Sequence, residues 1–555
     1  MALGLSAVAL IATLHLVAPR LGVAPQIILV ATGAAMSYLP TAHHFTLDPE
    51  IVLVGLLPLL LYSSSLALPT IEFRRDLAAI GALSVILVML TAVGIGWIIY
   101  KLIPGLPLAI GIALGALISP TDAAATGIVK RLGLGPRVVA VLDGESLLND
   151  ASALVVARAG LAAAATGFSL LTAAESLVWA VVAAVGIGFA VGKLGIFLRS
   201  RIEKPAIASV ISLLVPFASY LPADLVQASG LVAVVAAGIT TRQASPGRLH
   251  AVQRMTETAN WSTAEFLAEG VVFLAMGWQL KGLLTDLAMG HESWIATLLV
   301  AGVVWAVALA MRGLFVTAVI ALASRSLSLK QFVARWSYNR EHSANPPSKL
   351  RQRLRAYIQL YANDIDYLIH EPLRAREGVL LTWGGLRGVV TVAGAQMLPL
   401  DLPHRPLIVL IAFTVAVWSL LAQGLTLNPL ARRLGLVDHD QTPPGESDRL
   451  EAELEQAALS VLDADPRRAD GSGFDADLLA AYKVRMGHHP DDPTESDSPR
   501  RAQFYELRLM TIAAQRAALL RARAQHEYSS AALQHALNRL DADEISANLN
   551  LADED

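Results

Sequence analysis

The sequence predicts an all-α polytopic membrane protein with about 13 transmembrane helices and a cytosolic helical tail. Three observations carry that prediction. The chain is 54% apolar and only 16% charged, where an ordinary soluble domain carries about 25% charge. Apolar runs of about 20 residues, the length a bilayer core requires, recur from Met1 to about Leu436. Alternating segments of about ten residues, the mark of an outer-membrane barrel, do not occur.

Taken in order, the expected spans cover roughly 2–18, 22–40, 49–68, 76–100, 105–130, 137–164, 169–198, 206–222, 228–241, 261–281, 292–324, 377–400 and 405–432. The start, Met1-Ala-Leu-Gly-Leu, has no basic residue ahead of its apolar run, so it reads as a first span with an external N-terminus rather than a cleaved signal. With that orientation the inside loops hold Arg20; Arg74 and Arg75; Lys130, Arg131 and Arg137; Arg199, Arg201 and Lys204; and Arg242, Arg248 and Arg254. The outside loops hold only Lys101, Lys281 and Arg405. This asymmetry predicts a multi-pass protein of the cell (inner) membrane with a cytoplasmic C-terminus.

Residues 1–436 form the expected transmembrane unit. Within it the loop 325–376 is long and basic, carrying Arg335, Arg340, Lys349, Arg351, Arg353 and Arg355, and is expected to touch anionic headgroups from the cytoplasm. Residues 437–555 turn polar and are broken by Pro443-Pro444 and by Gly471 and Gly473, with helical periodicity over 446–464 and 500–541. That tail reads as a cytosolic appendage, with dimer contact or regulation as its alternative role.

The chemistry concentrates at three apolar places. Segment 105–130 is interrupted by Ser119-Pro120-Thr121-Asp122. Proline removes a backbone donor and disfavours helix at Ser119, so the helix is expected to unwind there. Irregular backbone at membrane depth survives only where it is buried or lines a cavity, and the freed Thr121 carbonyl becomes a cation ligand beside Asp122. Segment 377–400 has its counterpart in Trp383-Gly384-Gly385-Leu386-Arg387-Gly388, where three glycines weaken the helix around a buried arginine. Interrupted spans at matching positions, here the fifth and twelfth, point to a binding site at the midplane of two inverted repeats.

Segment 137–164 supplies Gly144-Glu145-Ser146-Leu147-Leu148-Asn149-Asp150. Ser146 and Asp150 are four apart and share a helix face; Glu145 and Asn149 share another, about 100° away. The first face offers a hydroxyl and a carboxylate to an ion, the second an acid and an amide to a structural network. A buried Glu145 needs a counter-charge, for which Arg387 is the expected partner. An ionisable group at bilayer depth costs about 2.5–3.5 kcal/mol on insertion scales, so Asp122 and Asp150 read as functional. Glu265, Glu269, Gln279 and Arg312 are expected to bond between helices, and Asp224 to be an exposed cap. His15, His43 and His44 lie near the first two spans, away from the acids.

These residues resemble a family. Gly144–Asp150 is similar to the Asn-Asp motif of the bacterial monovalent cation/proton antiporters, relatives of the eukaryotic sodium/proton exchangers. Ser119–Asp122 resembles that family's unwound-helix motif, and Trp383–Gly388 its arginine-bearing crossing helix. The stretch from Lys204 to Gly238, with Ser212–Phe217 and Ser229-Gly230, also fits, and the resemblance covers about 1–436. It implies a core domain with two broken crossing helices anchored by a dimerisation domain, hence a homodimer. It implies that Asp150 carries cation and proton alternately, with Asp122, the Thr121 carbonyl and Ser146 completing the Na+ coordination. Asn149 stands where electrogenic relatives have a second aspartate, which implies exchange of one cation for one proton. Glu145 and Arg387 resemble the family's buried structural pair. Two departures stand out: Ala123 replaces a frequent proline, and Leu60–Ser65 offers only hydroxyls where many members carry a glutamate. Ser63 is therefore a further candidate at the site, and so is Glu269, which stands where the family pattern leads one to expect a neutral residue and adds a titratable group.

Desolvation favours a protonated carboxylate and a bound cation favours the charged form, so proton and cation compete for one acid. Oxygen ligands suit hard ions such as Na+ or Li+. The leading alternative is K+/H+ or mixed Na+/K+ exchange on the same fold, and the remote one a cation channel. No His-Glu-x-x-His or Gly-x-Ser-x-Gly motif supports a hydrolase. The expected partners are membrane lipid, a second copy and the cation, with no cofactor and no nucleic acid.

Overall fold

The computed structural model describes residues 2–21, 23–39, 50–122, 124–166, 170–289, 293–341, 360, 363–365, 367–369, 371–399, 402–437, 445–464, 466–468, 470–485 and 498–552. Among the described residues the fold is helical, with one isolated bridge between Arg467 and Gly473. The transmembrane unit begins with α1 (Ala2–Val17), α2 (Pro25–Ser37) and α3 (Leu57–Ala67), followed by the short α4 (Thr70–Arg75). Next come α5 (Leu77–Gly81), α6 (Leu87–Leu102), α7 (Leu108–Ile118), α8 (Ala124–Arg131) and α9 (Pro136–Thr166). Then follow α10 (Leu170–Arg199), α11 (Pro205–Leu225), α12 (Gly230–Arg248), α13 (Ala251–Trp278), α14 (Leu280–Met289) and α15 (Trp294–Glu341). The unit closes with α16 (Ala375–Trp383), α17 (Val389–Gln396) and α18 (Arg405–Arg433).

The helices start where the sequence permits. Prolines stand in the first two positions of α2, α3, α11 and α18, where the missing N–H would have had no partner. Among the described residues, seven helical stretches are long and apolar enough to cross a membrane: 77–102, 136–164, 178–199, 205–225, 251–289, 294–325 and 405–433. The other expected spans fall on α1–α3, α7 with α8, α12, and α16 with α17, which are shorter, interrupted or more polar. Close packing relies on small residues. A Cβ on Gly111 of α7 would lie 2.6 Å from the Gly96 carbonyl oxygen of α6, so these two backbones touch directly.

Two bundles result. In one, α6, α7, α9, α15 and α16–α18 pack on each other; in the other, α1–α3 and α10–α13 do. At the seam α9 meets α3, α10 and α12, and α13 meets α17. The basic loop expected from residue 325 begins as a continuation of α15 to Glu341; Lys349, Arg351, Arg353 and Arg355 lie outside the described residues.

The tail comprises α19 (Glu446–Asp463), α20 (Ala476–Arg485), α21 (Ser498–Gln525) and α22 (Ser530–Ala552). It packs against the transmembrane unit. Ile71 of α4 joins Leu450, Leu454, Leu533 and Leu537 in one apolar cluster. The Ser530 N–H donates to Glu72 Oε1 at 2.8 Å, and Arg75 donates to the His526 carbonyl at 2.8 Å and to Asp364 Oδ1 at 2.8 Å. Arg254, at the start of α13, donates to Asp541 Oδ2 at 2.8 Å with both side chains buried.

Candidate functional site

Two interruptions make the site. Helix α7 stops at Ile118 and α8 restarts at Ala124. Ser119 keeps helical angles, φ −67° and ψ −38°, so the break begins at Pro120 rather than before it. Helix α16 stops at Trp383 and α17 restarts at Val389. The breaks cross: the Asp122 N–H donates to the Leu386 carbonyl at 2.7 Å. A Cβ on Gly388 would overlap the Asp122 carboxylate, so only glycine fits there.

A broken helix exposes carbonyls that need donors, and the ends of α7 and α16 carry partial negative charge. Two buried arginines meet both needs. Arg387 Nε donates to the Ile118 carbonyl at 3.3 Å and Nη1 to the Gly385 carbonyl at 2.7 Å. Arg312, from α15, donates to the Leu381 carbonyl through Nε at 3.0 Å and Nη2 at 2.7 Å. The expected Glu145–Arg387 pair is thereby corrected. Glu145 pairs with Arg312, whose Nη2 donates to Oε2 at 2.9 Å and whose Nη1 donates to Oε1. The break turns Arg387 towards the end of α7, while Arg312 reaches Glu145 from outside the crossing. The expected polar network on the Glu145–Asn149 face is present: Asn149 Nδ2 donates to Thr121 Oγ1 at 2.7 Å, and Thr121 Oγ1 to Glu145 Oε1 at 3.3 Å.

The other face of α9 opens on a cavity of about 330 Å³ at the seam between the bundles. Thr121, Asp122, Ser146 and Asp150 line it together, and the four-residue spacing accounts for the shared face of Ser146 and Asp150. Asp150 is half-buried, and among the described residues no hydrogen-bond donor or cation contacts its carboxylate. The Ser146 hydroxyl donates to the Asp143 carbonyl at 3.2 Å, which turns its lone pairs free for a further ligand. Asn149, by contrast, does not line the cavity; its Oδ1 is buried without a hydrogen-bond partner.

Glu269 lines the same cavity and accepts from Gln26 Nε2 at 2.6 Å. Ser63 does not line it: its hydroxyl donates to Glu265 Oε2 at 2.6 Å and faces a neighbouring cavity. His15, expected away from the acids, sits on the cavity wall because α1 packs against α13; His43 and His44 lie outside the described residues. Asp224 is not a bare cap but pairs with Arg158 at 3.2 Å, both half-exposed. Two residues passed unnoticed in the sequence. Thr391, three residues after Gly388, puts a buried Oγ1 without a hydrogen-bond partner on the cavity wall. Gln26 supplies the donor to Glu269. Only the first had a signal, its place in the first turn after the glycine break.

A polar cavity at the crossing of two broken helices, within a bundle of membrane-length helices, defines a membrane transport protein. The chain belongs to the sodium/hydrogen exchanger family: the family model described as "Sodium/hydrogen exchanger, transmembrane" matches residues 6–433. It is 30% identical to the uncharacterized Na(+)/H(+) exchanger YjcE of Escherichia coli strain K12, over 92% of each chain. It is 28% identical to the sodium, potassium, lithium and rubidium/H(+) antiporter of Bacillus subtilis strain 168, covering 72% of this chain and 57% of that one. Its fold matches the solved sodium proton antiporter MjNhaP1 of Methanocaldococcus jannaschii at a TM-score of 0.56 and 17% identity, over 78% of this chain and 98% of that one. The family is one of exchangers, not of enzymes.

Proposed function

We propose that the chain exchanges one Na+ or Li+ for one H+ by alternating access, with Asp150 as the carrier. The observation that carries this reading is the Asp150 carboxylate on the cavity wall, without a counter-charge among the described residues, beside Asp122 and the unwound backbone at Thr121. Asp122, the Thr121 carbonyl and the Ser146 hydroxyl complete the cation's oxygen shell, and Thr391 is added to them on the strength of its free hydroxyl. Desolvation favours the protonated acid and the cation favours the ionised one, so each displaces the other. An empty, ionised Asp150 is too costly to carry past apolar surface, and that makes exchange obligatory. Glu145, Arg312 and Arg387 hold the crossing in shape and stay out of the exchange. Asn149 brings no second carboxylate, which fits one charge for one charge.

Alternating access is supported by a second cavity of about 520 Å³ that shares no lining residue with the first. Leu53, Leu57, Leu61, Leu147, Leu154 and Val390 form one apolar cluster between them. The bundle of α6, α7, α9 and α15–α18 is the moving core in this reading, and the other bundle the anchor through which a homodimer forms. The distribution of Lys and Arg supports an inner-membrane protein with its N-terminus outside and its tail in the cytoplasm. On that orientation the Asp150 cavity, rimmed by Lys130 and Arg131, faces inward.

Transport of K+, alone or with Na+, is the second reading. It is favoured by the likeness to the Bacillus subtilis antiporter, whose name includes potassium and rubidium. Dequenching of a pH dye in proteoliposomes, with Na+, Li+ and K+ added separately, separates the two. Na+ and Li+ should collapse the gradient with wild type and fail with Asp150→Asn; full exchange by that variant rejects Asp150 as carrier.

A further inference from the structure

A third cavity reaches the wall of the Asp150 cavity from under the tail. It has a volume of about 560 Å³ and lies between α3, α12, α13 and α22. Its outer end lies beside the exposed Thr258 and Asn538, and its inner wall includes Ser63, Ala67 and Glu265. Glu265 and Ala67 also line the Asp150 cavity. One carboxylate, held by the Ser63 hydroxyl at 2.6 Å, therefore stands in the partition between the two spaces.

Charge separates the two approaches. The inward mouth of the Asp150 cavity carries Lys130 and Arg131, with Asp143 paired to Lys130 at 2.9 Å. Under the tail Arg254 is paired with Asp541 and Glu257 with Arg199 at 2.7 Å, while Arg242 is held by the neutral amide of Gln534. Glu265 has no ion-pair partner among the described residues. A cation arriving by this route meets the Glu265 carboxylate at the partition, where one arriving by the other mouth passes Lys130 and Arg131.

The tail closes the outer end. Arg254 Nε donates to Asp541 Oδ2 at 2.8 Å, Arg516 Nη2 to Asp541 Oδ1 at 2.8 Å, and Arg242 Nη2 to Gln534 Oε1 at 2.8 Å. The bonds from Arg254 and Arg242 fasten α22 across the gap between α12 and α13, and the bond from Arg516 ties α22 to α21.

We propose that Glu265 guards a second cytoplasmic entry for the cation and that α22 is the lid on it. The proposal rests on the reading of Asp122 and Asp150 as the cation site and on the cytoplasmic placement of the tail. Releasing the lid should ease cation entry, and only while Glu265 is present to receive the ion.

The chain's lack of cysteine makes the test clean. The lid is released in the full-length protein by Asp541→Asn with Gln534→Ala, and independently by Arg242→Met. With either release, the KM for cytoplasmic-side Na+ in proteoliposomes should fall at least about threefold. In a Glu265→Ala background the same releases should leave KM unchanged. A single Ser63→Cys should react with a cationic thiol reagent at least about threefold faster once the lid is released, and Na+ should slow it. Equal KM shifts with and without Glu265, no KM shift, or an unchanged labelling rate each overturn the proposal. Wild type that exchanges no cation at all sinks the reading of the ion site instead, so the two failures are told apart.

Discussion

The exchange of partners at Glu145 is open to a quantitative test. The Glu145 and Arg312 side chains are 1% and 2% exposed. Arg312→Met leaves that carboxylate buried without a counter-charge and takes two donors from the Leu381 carbonyl. Breaking a buried pair from one side costs about 3–5 kcal/mol. Glu145→Met strands the guanidinium and should cost a similar amount. The double variant leaves neither charge behind, so its cost should fall short of the sum by about 3 kcal/mol, the upper end for residues in contact. Arg387 donates to carbonyls of Ile118 and Gly385 and not to Glu145, so a Glu145/Arg387 cycle should couple by less than about 1 kcal/mol. Unfolding free energies in mixed detergent micelles read both cycles. A coupling to Arg387 as large as that to Arg312 refutes the assignment.

Three further outcomes follow from the same geometry. Gly388→Ala pushes the Asp122 carboxylate aside and should cut exchange by about a hundredfold. Gly424→Ala, whose Cβ meets nothing closer than Ile27 Cδ1 at 3.5 Å, should leave exchange intact. Thr121→Ala takes the acceptor from the buried Asn149 Nδ2 and should destabilise by about 1–3 kcal/mol in thermal unfolding, while Thr121→Ser should restore it. At Asp364 burial pulls the carboxyl upward, but the bonds from His526 and Arg75 outweigh it and hold the group below its ordinary value. A folded-state value below the unfolded one stabilises above the unfolded value and is lost as pH falls through the folded one. Limited proteolysis should therefore find the tail more exposed in Asp364→Asn than in wild type at pH 7, with the difference shrinking as pH falls below about 4 and gone only once pH lies below the depressed folded-state value.

What was legible in the sequence is what depends on neighbouring residues. Pro120 and the glycines at 384, 385 and 388 mark the two breaks locally, and the four-residue spacing of Ser146 and Asp150 fixes their common face. Which arginine meets Glu145 depends on the packing of α15, 167 residues away in sequence. Sequence showed two buried arginines, and only the resemblance favoured one of them. It assigned the choice to Arg387, whose donors the broken ends of α7 and α16 take up instead. Ser63 shows the same limit: its hydroxyl was visible, but the helix that meets it, α13, turns it to Glu265 in the partition, on the side away from Asp150. The tail's docking was illegible because it rests on scattered single residues, Ile71, Glu72, Arg75 and Arg254, that form no pattern before the chain is folded.

Competition at Asp150 is tested most directly by measuring the KM for Na+ against pH at a fixed membrane potential. If one carboxylate holds either ion, KM should rise about tenfold for each unit of falling pH once the protonated form dominates, with the maximal rate unchanged. A KM that stays constant while the maximal rate falls would show that proton and cation occupy separate groups, and Asp150 would not be the shared carrier.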